Sequence, residues 1–123
     1  LNKFYGTDIL ASDITAAECR GTIEFVELDR VAVKGRETPV GVYTPLGLTG
    51  ELSDAQERFR EAFGRGLALY RQADFARALA AFEEAQVFWP DCPPCREWQR
   101  RCQKWRQEPP GPEWQPIFRP ESK

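Results

Sequence analysis

Residues 31–43 read Val-Ala-Val-Lys-Gly-Arg-Glu-Thr-Pro-Val-Gly-Val-Tyr, and this stretch decides the fold. Valines alternate with other residues on both sides of the polar segment 34–38. Successive side chains of a strand point to opposite faces, so each flank presents one apolar face. Gly35 gives the connection the backbone freedom of a turn, and Pro39 is tolerated as the first residue of a strand. The stretch predicts an antiparallel β-hairpin with strands over 31–33 and 39–43.

Upstream of the hairpin the sequence predicts the end of a helix, a strand, a short helix and another strand. Residues 8–11 form an apolar run after Gly6, as expected for a buried strand. Ser12 suits the N-cap of a helix over Ile14–Cys19, because its hydroxyl can accept a hydrogen bond from a free backbone N–H group. Residues 23–28 are rich in β-branched and apolar side chains, which favour a strand. After the helix end, the expected order is β-α-β-β.

Beyond residue 50 the chain becomes rich in Ala, Glu, Arg and Gln. Ser53 and Gln56 fit a capping box, in which each side chain satisfies a backbone N–H group of the other. Two apolar stripes with helical spacing follow, separated by residues 72–74, and Pro90 ends the second stripe. A short connection between two such helices implies antiparallel neighbours. The stripes consist of Phe59, Ala62, Phe63, Gly66, Leu67 and Tyr70, and of Phe75, Ala78, Leu79, Phe82, Ala85 and Trp89.

A third helix is expected to start at Pro93 and Pro94, because proline suits the first turn of a helix. Its apolar residues recur at heptad-like spacing and should pack against the first two helices: Cys95, Trp98, Cys102 and Trp105. We therefore expect the two tryptophans to be core anchors. The basic residues gather on another face, which is typical of a solvated helix surface. They are Arg96, Arg100 and Lys104, with Arg101 and Arg106 nearby.

These patterns predict an α+β chain in three segments. Residues 1–50 form the mixed part, residues 51–108 form a helical hairpin with a capping helix, and residues 109–123 form a Pro-rich tail. The helical hairpin resembles a tetratricopeptide repeat, and the matching residues are Gly66, Phe75, Ala78, Phe82, Ala85 and Pro90. Only one repeat is visible, whereas an array that is stable alone needs about three. The third helix is therefore expected to cover the open face of the hairpin.

Composition excludes several classes of function. The 123 residues contain no His and carry a net charge of -2 at pH 7. Sites that need His, such as Ser-His-Asp and Cys-His catalysis, cannot be built within this chain alone, and no basic field indicates nucleic acid. No apolar run reaches the roughly 18 residues that span a membrane. The absence of Met favours a fragment of a longer chain.

Four cysteines without a secretion signal favour reduced thiols and a cytoplasmic location. Cys92-Pro-Pro-Cys95, with Cys102, resembles half of a zinc site, but the second pair is missing and no His can replace it. A redox Cys-x-x-Cys pair usually accompanies a βαβ pattern, which this chain lacks. We expect ordinary thiols at a Pro-rich helix start, and no metal bound by this chain.

Three stretches carry a resemblance to a known family: residues 3–12 (Lys-Phe-Tyr-Gly-Thr-Asp-Ile-Leu-Ala-Ser), residues 25–35 (Phe-Val-Glu-Leu-Asp-Arg-Val-Ala-Val-Lys-Gly) and residues 38–43 (Thr-Pro-Val-Gly-Val-Tyr). In this order they resemble the C-terminal end of the bacterial class III adenylate/guanylate cyclase catalytic domain. The resemblance implies a partial ferredoxin-like cyclase end that closes with the hairpin. It also implies a parent enzyme that converts ATP or GTP to a cyclic 3′,5′-monophosphate and pyrophosphate in intracellular signalling.

The resemblance assigns one site residue, Lys34, which matches a lysine that contacts the triphosphate of the substrate in this family. An ammonium group on a hairpin can neutralise the charge that gathers on pyrophosphate as the ribose 3′-OH attacks. Arg36 lies two residues away, and a solvated position is expected for it.

The family's other functional residues are not matched, and we expect them upstream of Leu1. They include two metal-binding aspartates, so Mg²⁺ or Mn²⁺ is expected in the parent and not on this chain. Asp8, Asp13 and Asp29 do not occupy the metal positions and are expected to be surface or capping acids. The resemblance further implies a nucleoside triphosphate substrate and a homodimer joined through the catalytic domains. Upstream segments could anchor the parent in a membrane, and this chain alone is predicted to be inactive.

A second interpretation is a non-enzymatic helical protein-interaction module on a small β scaffold. In that case the basic face of the third helix would bind an acidic protein partner or an anionic membrane surface. Metal-site aspartates and an Asn-x-x-x-Arg helix in the preceding part of the gene would distinguish the cyclase from the interaction module.

Overall fold

A computed structural model of the chain describes residues 11–32, 35 and 38–118. In this part of the chain a three-stranded antiparallel sheet packs with four helices, which confirms the predicted α+β class. The elements in chain order are β1 (Ala11–Ser12), α1 (Asp13–Glu18), β2 (Ile23–Val31), β3 (Val40–Leu48), α2 (Asp54–Arg71), α3 (Phe75–Phe88) and α4 (Pro93–Gln107).

The sheet is built on the predicted hairpin. Its strand order is β1-β3-β2, and Val31 pairs with Val40 beside the connection. Both hairpin strands are longer than the sequence predicted: β2 runs without a break from residue 23, and β3 continues through Pro45 to residue 48. Proline has no N–H group for the ladder, and it is tolerated here because the pairing register shifts beside it.

A second register shift lies in the middle of β2. Glu27 pairs with Tyr43 and Asp29 pairs with Val42, so Leu28 is an extra residue opposite the partner strand. Such a bulge interrupts the alternation of side chains along a strand. Leu28 and Asp29 are therefore both buried, at 0% and 1% exposure, although they are neighbours in the sequence.

The short helix α1 confirms the predicted cap. The hydroxyl of Ser12 accepts a hydrogen bond from the backbone N–H of Thr15 at 3.3 Å. The strand predicted at residues 8–11 lies largely outside the described residues. Its last residue, Ala11, pairs with Tyr43 of β3.

Helices α2 and α3 form the predicted hairpin. The Ser53–Gln56 capping box is present at the start of α2, and Asp74 caps α3 by accepting from the backbone N–H of Arg77. Between the helices, Ala73 adopts a φ of 63°. The ring contacts show that the two helices are antiparallel, because later residues of α2 meet earlier residues of α3: Phe59 with Trp89, Phe63 with Phe82, and Tyr70 with Phe75.

Helix α4 covers both the sheet and the helical hairpin of α2 and α3. Its Trp98 ring stacks on Phe82 with ring centroids 5.4 Å apart, and its indole N–H donates to the carbonyl of Leu28 at 2.8 Å. Residues from the strands and from all three long helices share one buried apolar cluster among the described residues. The division at residue 50 and the likeness to a tetratricopeptide repeat stay predictions.

The Pro-rich segment after α4 meets the outer edge of β2 at Phe118, which forms an isolated parallel bridge with Val31. The carbonyl of Phe118 accepts from Ala32, and the N–H of Phe118 donates to the carbonyl of Arg30, both at 2.8 Å. The ring of Trp114 packs edge-on against Tyr70 and Phe75, with ring centroids 5.5 Å away in each case. Within the described residues, no helix combines the length and the apolar character that crossing a membrane requires.

Two glycines of α2 provide a test of the close helix packing. A Cβ atom at Gly66 would lie 2.7 Å from the ring of Phe82, whereas a Cβ atom at Gly64 would meet nothing within 4 Å. Alanine is about 1 kcal/mol more favourable than glycine inside a helix, so Gly64→Ala should raise the free energy of unfolding by roughly that amount. The free energy of unfolding of Gly66→Ala should instead lie about 1–3 kcal/mol below that of Gly64→Ala, because the added methyl group overpacks the contact with Phe82.

Urea unfolding of both variants measures the difference. Equal stabilisation by the two substitutions would contradict the close approach of α2 and α3 at Gly66.

Candidate functional site

Lys34, the residue that the sequence assigns to the substrate, lies outside the described residues, and so does Arg36. The structure describes the elements that flank them. The last pair of the ladder joins Val31 to Val40, and Gly35 between the strands has a φ of 85°, a conformation that favours glycine. The hairpin that carries Lys34 is thus present, and the role of its side chain stays a prediction.

The structure places a buried ion pair on the same strand. Arg101 of α4 donates from Nη1 to Oδ2 of Asp29 at 2.6 Å, and the side chains are 7% and 2% exposed. Asp29 also accepts from the backbone N–H of Arg30 at 2.7 Å. The expectation that Asp29 is a surface or capping acid is therefore wrong, and Arg101 does not belong to a solvated basic face.

The surroundings of Arg101 keep it charged. Its Nε donates to Glu97 at 2.8 Å, and its guanidinium lies between two rings, 4.5 Å from the centroid of Trp98 and 4.1 Å from that of Phe118. Burial alone would lower the pKa of Arg101, but Asp29 and Glu97 raise it above its ordinary value. Burial alone would also raise the pKa of Glu97, yet hydrogen bonds from Arg100 and Arg101 hold it below 4.5.

A bulge and a helix face bring this pair together. The extra residue Leu28 turns Asp29 toward the helices, and α4 presents Arg101 one turn after Trp98. On a helical wheel Arg101 lies about 60° from Trp98, at the border of the apolar face. This border position was the available sequence signal for a buried cation. No sequence signal identified Asp29 as the partner of Arg101, because Asp29 lies 72 residues away and its burial depends on the bulge.

Asp13, at the start of α1, ties the short helix to the hairpin. Its carboxylate accepts from the backbone N–H of Gly41 at 2.7 Å and from the hydroxyl of Tyr43 at 2.9 Å. The hydrogen bond from Gly41 is the largest reason why the pKa of Asp13 is lowered, and Arg30 adds to it. The side chain is 43% exposed, as expected for a surface acid. Asp8 lies outside the described residues.

A cleft of about 760 Å³ opens between α4 and the segment that follows it. Arg101 lies in one wall of the cleft, with the other basic residues Arg100 and Lys104 beside it. The aromatic lining residues include Tyr70, Trp98, Trp105 and Trp114, and residues 113–118 form the opposite wall. The indole N–H of Trp105 donates to the hydroxyl of Tyr70 at 3.0 Å, which holds both rings in place.

The basic face of α4 is only partly solvated. Arg100 is exposed but pairs with Glu97 at 2.8 Å, and Arg96 is exposed as expected. The ammonium group of Lys104 lies 4.9 Å from the ring centroid of Trp105. Trp98 is the expected core anchor at 2% exposure, whereas Trp105 is only half-buried and lines the cleft.

The three clustered cysteines are fully buried. The sulfur of Cys92 caps α4 by accepting from the backbone N–H of Cys95 at 3.2 Å. A hydrogen bond with Cys92, together with burial, raises the pKa of the Cys95 thiol, and burial raises that of Cys102 to about 12. Thiolate is the form that binds metal and attacks disulfides, so these thiols are suited to packing.

No group of three or more Cys, Asp or Glu side chains in the described part of the chain could hold a metal ion. These residues therefore do not fit the Mg²⁺ or Mn²⁺ that the family resemblance implies for the parent.

The fold and the site define a small α+β unit in which a buried ion pair joins the sheet to α4, the helix that covers a helical hairpin. Comparison with known proteins adds a relative. Over 48 residues, or 39% of its length, the chain is 38% identical to adenylate cyclase 1 of Rhizobium meliloti (strain 1021). The matched stretch is 7% of that protein's length. No family model matches the chain, and no solved structure matches it significantly. The match supports a local relationship to an adenylate cyclase.

The buried ion pair predicts a large loss of stability when one partner is removed. Arg101→Met keeps the length of the apolar stem but removes the guanidinium that pairs with buried Asp29, which should cost about 3–5 kcal/mol of unfolding free energy. Arg106→Met makes the same change on an exposed residue of α4 and should cost about 0.5 kcal/mol or less. Urea unfolding measures both. A similar midpoint for the two variants would show that the pair does not stabilise the fold.

The cysteines predict a simple pattern of thiol reactivity. Cys19 is partly exposed, while Cys92, Cys95 and Cys102 are buried. In the native chain an aromatic disulfide reagent should titrate one thiol quickly, and all four should react in urea, because buried protonated thiols are inert. Cys19→Ser should abolish the fast phase. Fast reaction of two or more thiols in the native chain would mean that the cluster opens readily.

Proposed function

We propose that this chain is the C-terminal part of a class III nucleotide cyclase, which forms a cyclic 3′,5′-monophosphate and pyrophosphate from ATP or GTP. The observation that carries the proposal is the local identity of 38% to adenylate cyclase 1 of Rhizobium meliloti (strain 1021). Since the chain spans only 7% of that protein, most of the catalytic machinery is proposed to lie in other residues of a longer chain that works as a homodimer.

The described hairpin is compatible with the role proposed for Lys34. The pairing of Val31 with Val40 fixes where the two strands end, three residues before Lys34. Hydrogen bonds from Gly41 and Tyr43 to Asp13 brace the second strand from the other side. A cation on a braced hairpin needs little reorganisation when charge develops on a leaving group, which is the condition for electrostatic stabilisation.

The helical part is proposed to buttress that hairpin. Within the described residues, four polar residue pairs join β2 to the long helices, and they are spread along the strand. Arg60 pairs with Glu24 at 2.7 Å and Arg71 pairs with Glu27 at 3.1 Å. The other two are the hydrogen bond from Trp98 to Leu28 and the pair between Arg101 and Asp29. In this proposal the tetratricopeptide-like hairpin is a packing and regulatory unit of the cyclase, and it offers a surface for a protein partner.

The proposal predicts a selective effect at Lys34 in the complete parent enzyme. Lys34→Ala should lower turnover on the order of 10–1000-fold, by analogy with the removal of one charge-stabilising donor. Lys34→Arg should restore activity only in part, because a planar guanidinium differs from an ammonium group in reach and geometry. Initial rates of cyclic nucleotide formation, with ATP and with GTP, measure the effect, and unfolding midpoints should stay unchanged.

Arg36→Ala is the matched control, since it removes the same charge two residues further along the same connection. If the Lys34 and Arg36 variants lose activity equally, or if neither loses it, Lys34 does not contact the substrate. If the complete protein forms no cyclic nucleotide from either triphosphate, the cyclase proposal fails.

A further inference from the structure

We propose that the cleft between α4 and residues 113–118 is a binding site for a small aromatic anion, a planar ring that carries a carboxylate or phosphate group. Among the residues that the structure describes, those that line the cleft belong to α4 and to residues 113–118, together with Asp29 and Tyr70. The proposal therefore stands apart from the cyclase function and rests on the shape, the rings and the charges of this cleft.

The size and lining of the cleft suit a ring. Its volume of about 760 Å³ lies within the range of roughly 300–1,000 Å³ that is usual for small-molecule sites. Trp105 and Trp114 are half-buried, and their ring centroids are 6.1 Å apart with planes at 62°. Each ring is held by Tyr70, through the hydrogen bond from Trp105 and through the edge contact with Trp114. Rings that are already fixed lose little freedom when a flat ligand packs on them.

The charge of the cleft suits an anion. Lys104 lines the cleft, and no carboxylate forms an ion pair with it in the part of the chain that the structure describes. Two carboxylates, Asp29 and Glu113, also line the cleft. Arg101 already binds Asp29, and Glu97 offsets the charge of Arg100. Lys104 is thus a point charge that can bind a carboxylate or phosphate oxygen.

Arg101 adds a hydrogen-bonding argument. Its Nη2 is buried and has no acceptor among residues 11–32, 35 and 38–118, whereas Nε and Nη1 are both paired. A buried donor without a partner costs about 1–3 kcal/mol. A ligand oxygen that enters beside Arg101 would complete the hydrogen bonds of the guanidinium. A ring-bearing anion meets both demands, because its ring covers the tryptophans while its oxygens face the two cations.

Isothermal titration calorimetry on the whole chain tests the proposal with defined probes. Adenosine monophosphate represents an aromatic phosphate and indole-3-acetate an aromatic carboxylate. Adenosine, inorganic phosphate and acetate represent the separate parts of these probes. We expect at least one aromatic anion to bind with one-to-one stoichiometry and at least tenfold more tightly than its separate parts. The tighter of the two anions then identifies the acid group. If neither anion binds more tightly than its parts, the proposal is overturned.

Variants locate the site. Lys104→Ala should weaken binding of the preferred anion about tenfold, which is typical for the loss of one hydrogen bond to a charged group. Arg106→Ala removes the same charge from an exposed residue of α4 outside the cleft and should change affinity less than twofold. Trp105→Leu should weaken binding of the aromatic anion and leave the weak binding of inorganic phosphate or acetate unchanged. Equal effects of Lys104→Ala and Arg106→Ala would show that binding depends on net charge and would overturn the site.

Discussion

The pair between Asp29 and Arg101 is the constraint on which the rest of the structure depends. Two opposite charges that are almost fully buried must meet each other, because leaving either one unpaired in the interior is very costly. The pair therefore allows one register between β2 and α4. The adjacent hydrogen bond from Trp98 to Leu28 requires the same register, since both partners come from the same bulge.

Aromatic side chains pack around this constraint. Phe63, Phe82 and Trp98 form a continuous series of ring contacts from α2 through α3 to α4, edge-on between the two phenylalanines and stacked between Phe82 and Trp98. Large rings bury more area than aliphatic side chains, which helps a chain of this size to form a core. These ring contacts need the close approach at Gly66, because any larger residue there would push Phe82 away from its partners. The helices and the sheet consequently share one core.

The sequence predicted the elements whose signals are local. The cap at Ser12, the capping box at Ser53 and the start of α4 at Pro93 each depend on residues within one helical turn, and all are present in the structure. It did not predict the bulge at Leu28 or the burial of Arg101. Both depend on contacts between residues far apart in the chain, and the hydrophobic pattern alone places an arginine on the surface. The cleft also escaped prediction, because its second wall is a Pro-rich segment without periodicity.

The geometry suggests how the helical part could act on the hairpin. β2 is held at the bulge by α4 and at its end by the backbone pairing of Phe118 with Arg30 and Ala32. Phe118 also covers the guanidinium of Arg101, and both residues line the cleft. A ligand that changes the position of Phe118 would therefore act on the end of β2 at Val31, three positions before Lys34. Coupling of this kind needs a differential affinity of the ligand for two positions of one contact. The contact that would differ between the two positions is the backbone pairing of Phe118 with the edge of β2.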